Sequence, residues 1–123
     1  MKQIIKEGQV WTYKCRPHET GSRLTIIKVD TLNGEPTIHI SIDGLKLKDK
    51  LSGDIFATVI EHLPFSLAAI KKSFLKNEGS IEPSINDGYL HWKELFDAGK
   101  AGIWNIEIRQ AIAMTEETYN SSN

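Results

Sequence analysis

From Thr37 to Asp43 the chain reads TIHISID, with isoleucine at every second position. A side-chain period of two fits a β-strand and no helix. It places Ile38, Ile40 and Ile42 on one face, and Thr37, His39, Ser41 and Asp43 on the other. Just upstream stands Asn33-Gly34, a dipeptide suited to a two-residue hairpin because both positions tolerate positive φ. Before that turn, RLTIIKVD (23–30) is rich in β-branched residues. Earlier still, QVWTYKCR (9–16) alternates Trp11, Tyr13 and Cys15 with Val10, Thr12, Lys14 and Arg16. Pro17 and Gly21 supply the intervening turn. These segments predict an antiparallel meander of three to four strands with one wet face, IFATVIEHL (55–63) being the candidate fourth strand.

The period changes after LPFS. Pro64 fixes the backbone and Ser66 can cap a helix in which Leu67, Ile70, Phe74 and Leu75 form one apolar stripe, with Lys71, Lys72 and Lys76 outside it. NEGSIEPSIND (77–87) has the composition of a loop. Asp87 can cap a second helix whose Tyr89, Trp92 and Phe96 share a face and whose terminator is Gly99. AGIWNI (101–106) suggests a short strand, and EIRQAIAMTEETY (107–119) a last helix carrying Ile108, Ala111, Ile112 and Thr115. Strands first and helices after predict an α+β fold, with a β-meander in the N-terminal half and two to three helices packed on one face. With 123 residues, the expectation is a single globular domain, 1–123, with 120–123 as a frayed tail.

Composition excludes several chemistries. No apolar run approaches the roughly 20 residues of a membrane span, and the N-terminal stretch has no apolar signal core, so the cytoplasm is the default location. A single cysteine excludes an internal disulfide or a multi-cysteine zinc site. The four histidines include no pair at i, i+2 or i, i+4, so no metal is expected. In DAGKAGIW (97–104) the Gly-Lys pair lacks the rest of a phosphate loop: position 94 is Glu and the lysine is followed by Ala101. No cofactor motif remains. Lys46, Lys48 and Lys50 alternate with Leu45, Leu47 and Asp49 and have no aromatic neighbours to stack bases, so nucleic acid is not an expected partner.

GQVWTYK (8–14), EHLPFS (61–66) and WKELFDAGKAGIW (92–104) together resemble a group of small bacterial proteins with no assigned activity. The likeness runs from Gly8 to about Tyr119. It implies a stand-alone bacterial domain and assigns no residue a role.

Three clusters could carry chemistry. Cys15, His18 and Glu19 suggest a nucleophile with its base, yet Cys15 alternates onto the Trp11–Tyr13 face while His18 and Glu19 fall in a turn facing solvent. His39 and Asp43 lie on the polar face of one strand but about 13 Å apart, so any dyad needs a partner from elsewhere. His62 is a further candidate for such a cleft, and Glu61 beside it must face the opposite way. Net charge is −1, distributed unevenly: residues 1–76 hold 12 Lys/Arg against 8 Asp/Glu, and residues 77–123 hold 3 against 8.

The leading expectation is therefore a small soluble protein-binding module, more readily non-enzymatic than enzymatic. One concrete form is an immunity-type protein that blocks a basic toxin partner through Glu78, Glu82, Asp87, Glu94 and Asp97. Trp92 and Trp104 would be its apolar anchors if exposed. The alternative is a small-molecule-binding protein or an enzyme with a cleft between sheet and helices, using His39, Asp43 and His62.

Overall fold

The computed structural model describes residues 5–121. Strands β1 (Gln9–Tyr13), β2 (Arg23–Leu32) and β3 (Glu35–Asp43) form the expected meander. They are followed by β4 (Leu47–Lys48), β5 (Ile55–Ala57), β6 (Ile60–Ser66), α1 (Leu67–Ser73), β7 (Phe74–Ser80), α2 (Asp87–Asp97) and α3 (Ile108–Ser121). The fold is α+β, built on an antiparallel five-stranded sheet of order β6-β3-β2-β1-β7, with β4 and β5 as a separate pair. Asn33 and Gly34 both take positive φ, 53° and 81°, as the two-residue turn between β2 and β3 requires. Among the described residues no helix is long and apolar enough to cross a membrane.

The isoleucine face of β3 makes the core. Ile38, Ile40 and Ile42 pack with Trp11, Tyr13, Leu24, Ile26 and Phe65 of neighbouring strands, under Ile70 of α1 and Ile108, Ala111 and Ile112 of α3. Ser66 caps α1 as expected, accepting from the Ala69 amide at 3.2 Å. For α2 the cap is Asn86, one residue before Asp87. Gly99 ends α2 at φ 74°.

The fourth strand expected at 55–63 is split, β5 pairing with β4 and β6 joining the main sheet, and larger features also depart from the sequence expectations. Helix α2 does not join α1 and α3 on the isoleucine face. Its buried residues, Tyr89 and Trp92, cover the opposite face, so the strand side expected to be wet is sealed at Thr37 and His39, both 0% exposed, and stays open only towards Asp43. The predicted apolar stripe of α1 is cut at Ser73. Phe74 turns into β7 and stacks on Trp11 with ring centroids 4.2 Å apart, and β7 pairs with β1 as the sheet's edge. Finally, Asn120 and Ser121 are not a frayed end. Asn120 is buried in the last turn of α3, accepting from the Lys50 amide and donating to the Lys48 carbonyl. Residues 122 and 123 of the expected tail lie outside the described residues.

Candidate functional site

Register brings the site together. The Asn33-Gly34 turn pairs Asp30 with Thr37 and Lys28 with His39. A bulge then leaves Ile27 unpaired and restores Ile26 opposite Ile40. An extra residue of this kind reverses the alternation of one strand relative to its partner. Leu24 and Ile26 can therefore stay in the core while Lys28 and Asp30 share the face of His39. On the other side of β3, His39 pairs with Pro64 of β6, which places His62 on that same face two residues along.

The result is a chain of polar groups under α2. Tyr89 donates its hydroxyl to Asp30 Oδ2 at 2.7 Å. The same oxygen lies 3.1 Å from His39 Nε2, close but off the line of an N–H bond. His39 Nδ1 meets His62 Nε2 at 2.8 Å. The two imidazoles are within 20° of coplanar with centroids 5.1 Å apart, so they meet edge to edge. Tyr89 and Trp92 close over His39 as edge-on aromatic contacts at 4.8 and 4.9 Å. Thr37 Oγ1, on the same strand face, is buried without a hydrogen-bond partner among the described residues.

Burial dominates the electrostatics. It pushes the His39 imidazole down to about 4, although Asp30's charge and contact pull the other way. His62 is likewise pushed down to about 4, by burial first and by the neighbouring His39 second. The Tyr89 hydroxyl is raised by burial, then by its bond to Asp30 and that residue's charge. At pH 7 both histidines are neutral hydrogen-bonding groups.

His62 also forms part of a cavity of about 470 Å³. Its walls are His62, Leu63 and Pro64 of β6, Trp92 of α2, and the segment Gly102–Trp104. Two contacts hold that segment in place. Trp92 Nε1 donates to the Gly102 carbonyl at 3.0 Å, and Trp104 bonds the backbone edge of β6 through Pro64 and Ser66 at 2.9 Å each. The predicted strand at 101–106 is reduced to this one bridge. Gly88 seats α2 against the site, since a Cβ there would stand 3.0 Å from His62 Cβ and 3.3 Å from the capping Asn86 Oδ1. Gly88→Ala is therefore expected to forfeit the helix-propensity gain of up to about 1 kcal/mol and to shift the His62 ring signals in NMR. A full gain with unmoved signals would show that α2 is not seated on His62.

Of the residues proposed from sequence, His39 and His62 are brought into contact. Asp43 is not part of the site: it sits exposed at the far end of β3, and Asp30 takes the carboxylate's place. Cys15 packs at the edge of the core and His18 is exposed, whereas Glu19, expected in solvent, is 0% exposed. Glu19 is bound by Arg16 and the Lys46 amide, and no hydrogen bond among the described residues joins it to Cys15 or His18. The acidic residues are exposed but partly engaged, Glu78 with Arg23 at 3.1 Å and Asp97 with Lys93 at 2.7 Å, while Asp87 opens α2 and Glu82 and Glu94 face solvent. Trp92 and Trp104 are cavity walls, not protruding anchors. Among the described residues no three His, Cys, Asp or Glu side chains are grouped to hold a metal. Comparison with protein-family models, curated proteins and solved structures finds no match.

Proposed function

We propose that this chain is a small-molecule-binding protein whose ligand occupies the cavity between β6, α2 and the Gly102–Trp104 segment. The observation that carries the reading is the placement of His62. It is the one titratable group among the cavity's lining residues, and it is backed by a polar file of His39, Asp30 and Tyr89. Ligand sites combine apolar walls with a few convergent polar groups in this way, and perturbed histidines cluster at them. The size is suitable too, since about 470 Å³ falls within the usual range of ligand pockets.

Binding is favoured over acid–base catalysis by the depth of the shift. A general base works best with a pKa near the operating pH. With His62 at about 4, the neutral form outweighs the charged one by roughly a thousandfold at pH 7. The group is suited to recognise a ligand, not to hold its proton. The partner-binding alternative gains no comparable support, because two of its five carboxylates are already paired within the chain.

The test is a screen of small aromatic fragments by protein-observed NMR. Binders are expected to move the indole N–H signals of Trp92 and Trp104 together with the His62 ring. Gly102→Leu is the companion variant, since a Cβ at Gly102 meets nothing within 4 Å and the fold can accept it. Filling that rim should weaken every binder by at least about tenfold, the cost of a steric clash of about 1.4 kcal/mol. Hits that map elsewhere, or that ignore the leucine, would sink the proposal.

A further inference from the structure

We infer that the ligand is a neutral, flat aromatic molecule carrying an O–H or N–H donor, which it gives to a bare Nδ1 of His62. This deepens the binding role proposed above and rests on it.

Asp30 sets where the protons sit along the polar file. A neutral imidazole has one N–H and one lone pair, and the partner of either nitrogen decides which is which. His39 Nε2 stands 3.1 Å from the Asp30 carboxylate. A lone pair there would face negative charge, whereas an N–H presents its positive end, even off the ideal line. Nε2 therefore carries the proton of His39. Its Nδ1 is then an acceptor, and the 2.8 Å contact with His62 Nε2 requires His62 to be the donor at that nitrogen. Having spent its single proton on Nε2, neutral His62 keeps a lone pair on Nδ1. That atom has no hydrogen-bond partner among the described residues, and the residue that carries it lines the cavity. Asp30, which is not a lining residue, thus sets the hydrogen-bonding character of one that is.

The walls supply the rest of the ligand's description. Trp92 and Trp104 offer indole surface, and Leu63, Pro64 and Ile103 complete an apolar slot. No lysine or arginine lines it, so a carboxylate or phosphate would enter without a counter-charge and lose its hydration. The Gly102 carbonyl already accepts from Trp92 Nε1, which leaves it the weaker acceptor for a ligand donor. An uncharged aromatic with one donor meets every one of these conditions. A pure hydrocarbon would leave the His62 lone pair dry and unpaired, which is costly.

Two measurements on the intact wild-type chain test this. The first reads the ring tautomers by nitrogen-15 NMR at pH 7, where His39 and His62 should both carry the proton on Nε2. A proton on His62 Nδ1 would overturn the inference before any ligand is added. The second titrates phenol, toluene and benzoate in parallel. Phenol should bind about tenfold more tightly than toluene, the worth of one hydrogen bond, and benzoate should bind more weakly than phenol. Phenol should also shift the His62 Nδ1 resonance, and His62→Leu should erase its advantage over toluene. Equal binding of phenol and toluene, or a preference for benzoate, would refute the donor requirement while leaving the cavity as a binding site. Binding by none of the three would refute the cavity reading itself, and this inference with it.

Discussion

Glu19→Ala is expected to destabilise the fold by about 3 kcal/mol, the low end for breaking a buried ion pair from one side. The Glu19 side chain is 0% exposed and accepts from Arg16 Nε at 2.7 Å, from Arg16 Nη2 at 2.9 Å and from the Lys46 amide at 2.8 Å. Burial alone would raise its carboxyl, but the arginine and that amide outweigh it and leave it lowered. Alanine would orphan the Lys46 amide and leave Arg16 half-compensated. The low end applies because Arg16 is 12% exposed and keeps Glu116 at 3.0 Å. Glu116 Oε2 in turn takes the Lys48 amide and Asn120 Oδ1 the Lys50 amide. Three side chains thereby serve the alternate amides of the 46–50 segment on the edge of β4 that does not pair with β5. Glu19→Gln should cost less, since it keeps one acceptor for Lys46. Urea unfolding at pH 7 checks both variants, and a loss under about 1 kcal/mol for alanine would mean that water already reaches the arginine.

Glu19 also marks where sequence reasoning failed. Placed in a turn with Pro17, it had every reason to face solvent. Its burial depends on Arg16 and Glu116, and Glu116 is 100 residues from Arg16 in sequence, a separation that no local pattern encodes. The meander was more legible, because period-two alternation and the Asn33-Gly34 turn are local signals with a physical cause. Strand β7 was hidden for the opposite reason. Beyond Phe74 every one of its residues is exposed, so no buried face writes an alternation into the edge strand, and Phe74 itself mimicked a helix stripe.

The site was half legible. His39 and His62 were both identifiable as polar residues interrupting apolar strands. Their contact was not, because it depends on the β3–β6 register. Asp30 could have been found. Extending the pairing outward from the Asn33-Gly34 turn sets Asp30 opposite Thr37 and Lys28 opposite His39, within diagonal reach of the histidine. Choosing Asp43 instead followed one strand's own spacing and ignored its neighbour. The Tyr89–Trp92 stripe was recognised as apolar, but a stripe does not state which sheet face it will cover. Here it covers the face whose histidines need desolvated partners, and that choice produces the cavity.

Lowering the pH from 7 to 5 is expected to remove about 2 kcal/mol of stability through His39 alone, with a further loss through His62. Both rings are held at about 4 in the folded protein against 6.5 when free. Between those values the unfolded chain binds protons that the native state refuses. Their contribution is therefore complete above about pH 6.5 and is lost progressively as pH falls towards 4. Glu19 and Glu116, whose carboxyls are lowered from 4.5, act in the same direction but lower on the scale, so pH 7 to 5 isolates the histidines. The other two, His18 and His91, are exposed. Urea midpoints of the wild type should fall across this range, while His39→Gln/His62→Gln should show a much flatter response. A wild type equally stable at pH 7 and 5 would show that the native pair accepts a proton readily. If that proton sat on His62, its Nδ1 would no longer be a lone pair and the cavity would favour anions over neutral donors. Stability and ligand choice are thus tied to the protonation of the same histidine pair, which the pH series reads.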